Sequence, residues 1–164
     1  MRPQAIRPLP GQESVWDYPR PAVVEPTLKR LQVVHNGTCI AETVAGFRVL
    51  ETSHPPTYYF PPQDVHLEAL EPSERRTRCE FKGIATWFDL VMDTQTLSSV
   101  AWSYPRPTRA FSPITGFISF FAGPMDRCTV DGEIVTPQAG SYYGGWITSD
   151  IVGPFKGAPG TWGW

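Results

Sequence analysis

The sequence predicts an all-β, mostly antiparallel chain with little helix, built as two packed sheets in a sandwich or as an open barrel. Three observations carry that expectation. Eighteen prolines and fourteen glycines in 164 residues punctuate the chain too often for long helices. Aromatic residues reach 13%, and rings pack well on a pleated surface. About nine short apolar or alternating runs recur between turn signals, the spacing expected of sandwiches and barrels.

Each element follows from its residues in order. Residues 1–29 read as an irregular, proline-rich arm that Trp16, Tyr18 and the Val23-Val24 pair could pin to the body. Leu31–His35 and Thr38–Glu42 flank Asn36-Gly37, a dipeptide that favours a type I′ hairpin because both central residues take φ > 0. Phe47–Glu51 alternates apolar and polar, as a half-buried strand should. His54–Pro62 holds Tyr58, Tyr59 and Phe60 between two Pro-Pro pairs, which enforces an extended backbone. Gln63–Leu70 alternates and predicts another strand, with a helical turn as second choice over Pro72–Arg75.

Arg76–Phe81 and Ile84–Val91 then read as paired strands hinged at Lys82-Gly83. A turn at Asp93–Gln95 leads into a returning strand, Leu97–Tyr104. Pro105, Pro107 and Pro113 hold a stiff loop around Phe111, and Gly116–Ala122 is apolar enough for a buried strand. Asp131-Gly132 repeats the hairpin logic. Tyr142, Tyr143, Trp146, Phe155, Trp162 and Trp164 stand among glycines at the end of the chain, so this segment is expected to wrap the surface as a strap. One domain over 1–164 is therefore expected, with an arm (1–29), a β core (30–133) and a glycine-aromatic strap (134–164).

Several functions can be set aside. The net charge of −2 offers no basic footprint for nucleic acid. No apolar run approaches the ~20 residues that cross a bilayer, so no membrane partner is expected. Met1–Arg7 has no apolar signal core behind its charges, which makes a soluble, cytoplasmic protein the default. Cys39, Cys79 and Cys128 are far apart and odd in number, suiting free thiols in a reduced compartment. Neither they nor His35, His54 and His66 fall at zinc-ligand spacing, so neither a metal nor any other cofactor is expected. Phosphate-loop, dinucleotide and Gly-x-Ser-x-Gly spacings are also absent.

The stretch from Tyr58 to Trp87 carries the candidate chemistry. Tyr58, Tyr59, Trp87, Trp102 and Tyr104 suit the wall of a small-molecule pocket, with Asp64, Cys79 and Lys82 as its polar groups. In a strand over 76–81, Cys79 and Phe81 would face one side and Glu80 and Lys82 the other. A lysine that reached the Cys79 thiol would favour a nucleophilic thiolate, while the plainer reading packs Cys79 in the core. Asp64 with Lys82 is the other catalytic candidate, as an acid–base pair. Glu42, Glu51 and Glu80 match no metal motif, and His54 and His66 are acid–base groups only if held near a substrate. Three readings follow: an unidentified small molecule bound in an aromatic pocket, an enzyme using Cys79 or Asp64 with Lys82, and a homodimeric interaction module.

The ordered combination Tyr58-Tyr-Phe-Pro61, Asp64-Val65, Cys79-x-Phe-Lys82-Gly83 and Ala101-Trp-Ser-Tyr-Pro105 resembles the family described as domain of unknown function 427. Gly37, Ala41-Glu-Thr43 and Leu50-Glu51 fit the same pattern, and the resemblance covers roughly residues 30–133. It implies a compact domain similar to the β-tent group, two antiparallel sheets meeting at an angle. Relatives in that wider group are often pinned by zinc through paired Cys-x-x-Cys motifs, which this sequence lacks. The family sometimes carries a nucleotidyltransferase-like label. The chain has no Gly-Ser followed by the Asp-x-Asp pair that would hold magnesium, so that activity is not expected here.

Overall fold

Alternating side chains and Xaa-Gly turns generate a chain of short strands in the computed structural model, which describes residues 2–164. In chain order they are β1 (Glu13–Ser14), β2 (Val23–Thr27), β3 (Leu31–His35), β4 (Thr38–Thr43), β5 (Gly46–Leu50) and β6 (Thr57–Tyr59). The long central strands are β7 (Leu70–Cys79), β8 (Gly83–Met92) and β9 (Gln95–Ser103). After them come β10 (Ile118–Phe120), β11 (Arg127–Val130), β12 (Glu133–Ile134), β13 (Thr136–Pro137), β14 (Trp146–Ile147) and β15 (Ile151–Val152). Helical structure is limited to short 3-10 turns such as Arg109–Ile114. The two dipeptide turns form as expected: Asn36 and Gly37 have φ of 49° and 72°, Asp131 and Gly132 of 49° and 83°.

Three larger antiparallel sheets result, in the orders β2-β5-β6, β10-β9-β8-β7 and β12-β11-β3-β4, beside a two-stranded antiparallel pair, β13-β14. Just past β6, Phe60 exchanges two backbone hydrogen bonds of 2.8 Å with Ile118 of β10. That bridge joins the first two sheets into one wall with two distinct faces. One face packs on the third sheet, bringing Tyr58, Phe60, Leu90, Val100 and Phe120 against Leu31, Val33 and Ile40. Each such side chain contributes about 1.5–3 kcal/mol by leaving water. The other face carries a second cluster, including Tyr59, Ala85, Trp87, Trp102, Tyr104 and Phe111.

Both chain ends are tied to this body. Trp146 is fully buried in the main core, its indole N–H donating to the Phe120 carbonyl at 3.0 Å and its backbone N–H to that of Pro56 at 2.8 Å. β1 and β15 pair in parallel, and Val15, Trp16, Tyr18, Leu50 and Ile151 form a third apolar cluster. The Trp16 indole donates to the Pro154 carbonyl at 2.9 Å.

Several local expectations are corrected. The arm is not irregular throughout, because Val23–Thr27 pairs fully with β5. Gln63–Leu70 alternates but forms 3-10 turns at Pro62–Asp64 and Leu67–Ala69, since before Leu70 enters β7 the described ladder partner is the single Ala41–Val65 bridge. Pro72–Arg75 is not a helical turn but part of β7, where the register with β8 shifts between Pro72 and Arg76. β7 is an edge strand, and a missing N–H is tolerated there. The loop around Phe111 winds into the 3-10 turn. The sheets stack as layers and do not close into a barrel. Among the described residues, no helix is long and apolar enough to cross a membrane.

Because the Trp146 ring fills the core and its indole N–H satisfies the Phe120 carbonyl, Trp146→Ala is expected to cost about 3–5 kcal/mol, and Trp146→Phe clearly less. Guanidinium unfolding read by far-UV circular dichroism checks both; equal losses would mean that the ring volume is not what holds the strap.

Candidate functional site

On the face of the wall turned away from the main core lies a cleft of about 580 Å3. Strand periodicity decides which side chains enter it. Tyr59 of β6, Trp102 of β9, Trp87 of β8 and Thr77 and Cys79 of β7 all project from this face, joined by Tyr104 and Phe121. The facing side is built from the chain ends and the His54–Pro55 loop, and includes Arg20, Gln138, Tyr142, Tyr143, Gly144 and Lys156.

The aromatic wall is rigid because its rings hold one another. Trp87 and Trp102 lie 5.3 Å apart, and Phe121 packs on them at 5.7 and 4.9 Å. The Trp102 indole N–H donates to the Tyr59 hydroxyl at 3.3 Å, and that of Trp87 to Thr77 Oγ1 at 2.8 Å. Both donors are thus satisfied within the wall, and with Trp87 and Trp102 only 7% and 6% exposed the indoles present narrow edges to the cleft. The Arg75 guanidinium lies 4.1 Å from the Trp87 ring centre, a cation–π contact. Gly144 runs flat against Trp102, and any Cβ there would collide with the indole.

Of the residues singled out from the sequence, Tyr59, Cys79, Lys82, Trp87, Trp102 and Tyr104 line this cleft. Tyr58 does not, for a simple reason. It neighbours Tyr59 on one strand, so it points to the opposite face, where it packs 5.4 Å from Trp146 in the main core. Asp64 also lies elsewhere, accepting a 2.7 Å hydrogen bond from Thr43 Oγ1. Asp64 and Lys82 are therefore not brought together. Glu80 and Phe81 line the cleft beside Cys79 and Lys82, against the expected two-sided split. Strand β7 stops at Cys79, and the following turn is pinned by Thr108, which donates to the carbonyls of Phe81 at 2.6 Å and Lys82 at 3.0 Å.

The three thiols differ in setting. Cys79 is half-buried, Cys39 exposed and Cys128 buried, with burial pushing Cys128 up to about 12. Among the described residues, no group of three or more His, Cys, Asp or Glu side chains is placed to hold a metal ion. His66 lies outside the cleft, 3.3 Å from Glu68.

His54 is buried at the cleft margin, and the tautomer of its neutral ring is set by Gln138. The Gln138 amide oxygen accepts from the Gly145 backbone N–H at 3.0 Å, and its nitrogen donates to the Lys156 carbonyl at 2.7 Å. With the amide so oriented, its second N–H donates to His54 Nδ1 at 3.1 Å. Nδ1 is therefore an acceptor, and the neutral ring carries its proton on Nε2. Burial, then the cations of Lys156, Arg20 and Lys82, push this imidazole down to about 3. His54 is thus a neutral donor near pH 7 and a poor general base.

Arg20 and Gln138 carry no local signal in the sequence, and Tyr142, Tyr143 and Lys156 are legible only as parts of a surface strap, not as cleft residues. The density of Tyr142-Tyr-Gly-Gly-Trp146 signals a docked segment, but not the surface on which it docks.

A family model described as Domain of unknown function (DUF427) matches residues 23–131, and the chain belongs to that family. No curated protein matches the chain. The match spans the aromatic wall and Lys82, while Arg20, Gln138, Tyr142, Tyr143 and Lys156 lie outside it.

The neutral His54 has a measurable consequence. The unfolded chain protonates this side chain near 6.5 and the folded one only near 3. Its contribution to stability is therefore complete above the unfolded value and is lost as pH falls towards the folded one. Between pH 6.5 and about 4.5 the loss from this group is about 2 kcal/mol. His54→Asn, which keeps an acceptor facing Gln138, should flatten that part of the profile. Urea unfolding of both proteins across the range checks this; parallel profiles would overturn it.

Proposed function

We propose that this member of the family binds a small molecule in the aromatic cleft, with Tyr59, Trp87, Trp102 and Tyr104 as its walls and Cys79 and Lys82 as polar contacts. The observation carrying this reading is the convergence of those side chains, from four separate segments, on one cavity. Its volume falls within the range usual for ligand sites, and apolar walls with a few polar groups are their usual composition. The wall needs little reorganisation on binding, since its rings are already locked by stacking and hydrogen bonds. The arm and strap supply Arg20, Gln138 and Lys156, so the binding unit is the whole chain as a single domain.

An enzyme using Cys79 as nucleophile draws less support. Such a thiol needs a base within hydrogen-bond reach. Among the described residues, His54 is the one imidazole lining the cleft, and its Nδ1 is already occupied by Gln138.

The test uses Cys79 as a reporter. In a Cys39→Ser background, a small-molecule library is screened by thermal shift, and each hit is added before a maleimide. A cleft ligand should slow Cys79 labelling by about tenfold or more through mass action, and Cys79→Phe should abolish its thermal shift. Hits that stabilise the protein without slowing the labelling or responding to Cys79→Phe would place the site elsewhere.

A further inference from the structure

The cleft departs from the charge of the chain around it. The protein as a whole carries −2, yet five cationic side chains (Arg20, Arg75, Arg78, Lys82 and Lys156) line this cavity against two carboxylates, Glu51 and Glu80. With His54 neutral, the difference of five and two leaves the lining at +3. Only one of these cations has an internal ionic partner: Arg20 lies 3.6 Å from Glu51 and also donates to the Thr52 carbonyl at 2.8 Å. Among the described residues, Arg75, Arg78, Lys82 and Lys156 reach no carboxylate within ion-pair distance. Lys156 has only a long 3.5 Å contact with the Trp164 carbonyl.

These charges come from separate parts of the chain but act on one volume. Arg20 belongs to the arm, Lys82 to the turn after β7 and Lys156 to the strap, and all three depress the same imidazole, His54. The Lys82 ammonium lies 5.8 Å from the Tyr104 ring centre and that of Lys156 5.6 Å from Tyr143. Cations gathered beside low-dielectric aromatic walls repel one another and concentrate field in the cleft, an arrangement that an incoming anion relieves. The apolar edges that Trp87 and Trp102 present beside them, with Tyr142 and Tyr143 on the facing side, suit a flat, unsaturated body rather than a compact inorganic ion.

Resting on the binding reading above, we propose that the ligand is a planar aromatic anion. Its ring lies between the exposed edges of Trp102 and Trp87 and the facing Tyr142 and Tyr143, and its carboxylate or phosphate is held by Lys82, Lys156 and Arg20. Arg75 and Arg78 on β7 raise the potential at the mouth and steer the anion inward.

Calorimetric titration of the full chain with four probes tests this: 2-naphthoate, 2-naphthyl phosphate, neutral 2-naphthol and inorganic phosphate. At least one naphthyl anion should bind about tenfold or more tightly than 2-naphthol, weaken as salt rises, and quench tryptophan fluorescence. Which of the two binds more tightly distinguishes a carboxylate ligand from a phosphate one. The double variant Lys82→Gln/Lys156→Gln should lose about tenfold for that anion and nothing for 2-naphthol, with a melting temperature no lower than the parent's as its folding control. If 2-naphthol binds as tightly as both anions, the anionic assignment fails and the binding reading stands. If inorganic phosphate matches naphthyl phosphate, the ring assignment fails. No binding by any of the four overturns both.

Discussion

Two backbone hydrogen bonds between Phe60 and Ile118 decide the architecture. Without them β2-β5-β6 and β10-β9-β8-β7 would be separate sheets, each exposing an edge. With them they form one wall, and the strict two-residue period of strands sorts neighbouring residues onto its two faces. Tyr58 and Phe60 go to the main core, while Tyr59 between them goes to the cleft; Phe120 and Phe121 divide in the same way. A slip of one residue at this seam would exchange core and cleft side chains together. The seam is also short, so its register depends on the packing of those rings as much as on the bonds themselves.

A wall alone makes a face rather than a cleft. The second side is supplied by segments outside the family match, held largely through Gln138. One amide there joins the Gly145 backbone, the Lys156 carbonyl and the His54 ring, linking strap to loop in a buried setting where unpaired polar atoms are costly. Trp146 anchors the same strap in the main core a few residues away. The position of Lys156 beside the aromatic wall is therefore a consequence of core packing, not of any attraction between lysine and the cleft.

Much of this was legible in the sequence wherever the signal is local. Asn36-Gly37 and Asp131-Gly132 name their own hairpins, because few other residue pairs accept the backbone angles required. Tyr59, Cys79, Lys82, Trp87, Trp102 and Tyr104 all reach the cleft, and their shared block of strands made them candidates. The grouping of Tyr58 with Tyr59 was readable as an inconsistency, since adjacent strand residues cannot share a face. Gln63–Leu70 shows the opposite failure: its alternation is real, but a strand also needs a partner, and pairing is a tertiary fact. The cationic lining was hidden for the same reason. Arg20, Lys82 and Lys156 are far apart in sequence, and an overall charge of −2 averages their convergence away.

That convergence ties binding chemistry to folding chemistry. A lining of +3 raises the energy of the empty cleft, and the fold tolerates it because Arg20, Arg75 and Arg78 are exposed, where water screens their repulsion, leaving the half-buried Lys82 and Lys156 to set the field inside. His54 is buried, with the Glu51 carboxylate 3.7 Å from its Nε2 as the one counter-charge in reach among the described residues. A proton there would add another positive charge beside Lys156, Arg20 and Lys82, in a ring whose Nδ1 already accepts from Gln138. Protonation would also turn that acceptor into a donor facing a donor, breaking the amide's hold on the strap. Burial first, and then the same cations that would attract an anion, keep His54 neutral, and the neutral ring in turn helps to hold the strap, and Lys156 with it, against the cleft. Site electrostatics and strap docking are in this sense one property: replacing the cations would relax His54 and loosen the constraint that now excludes its proton.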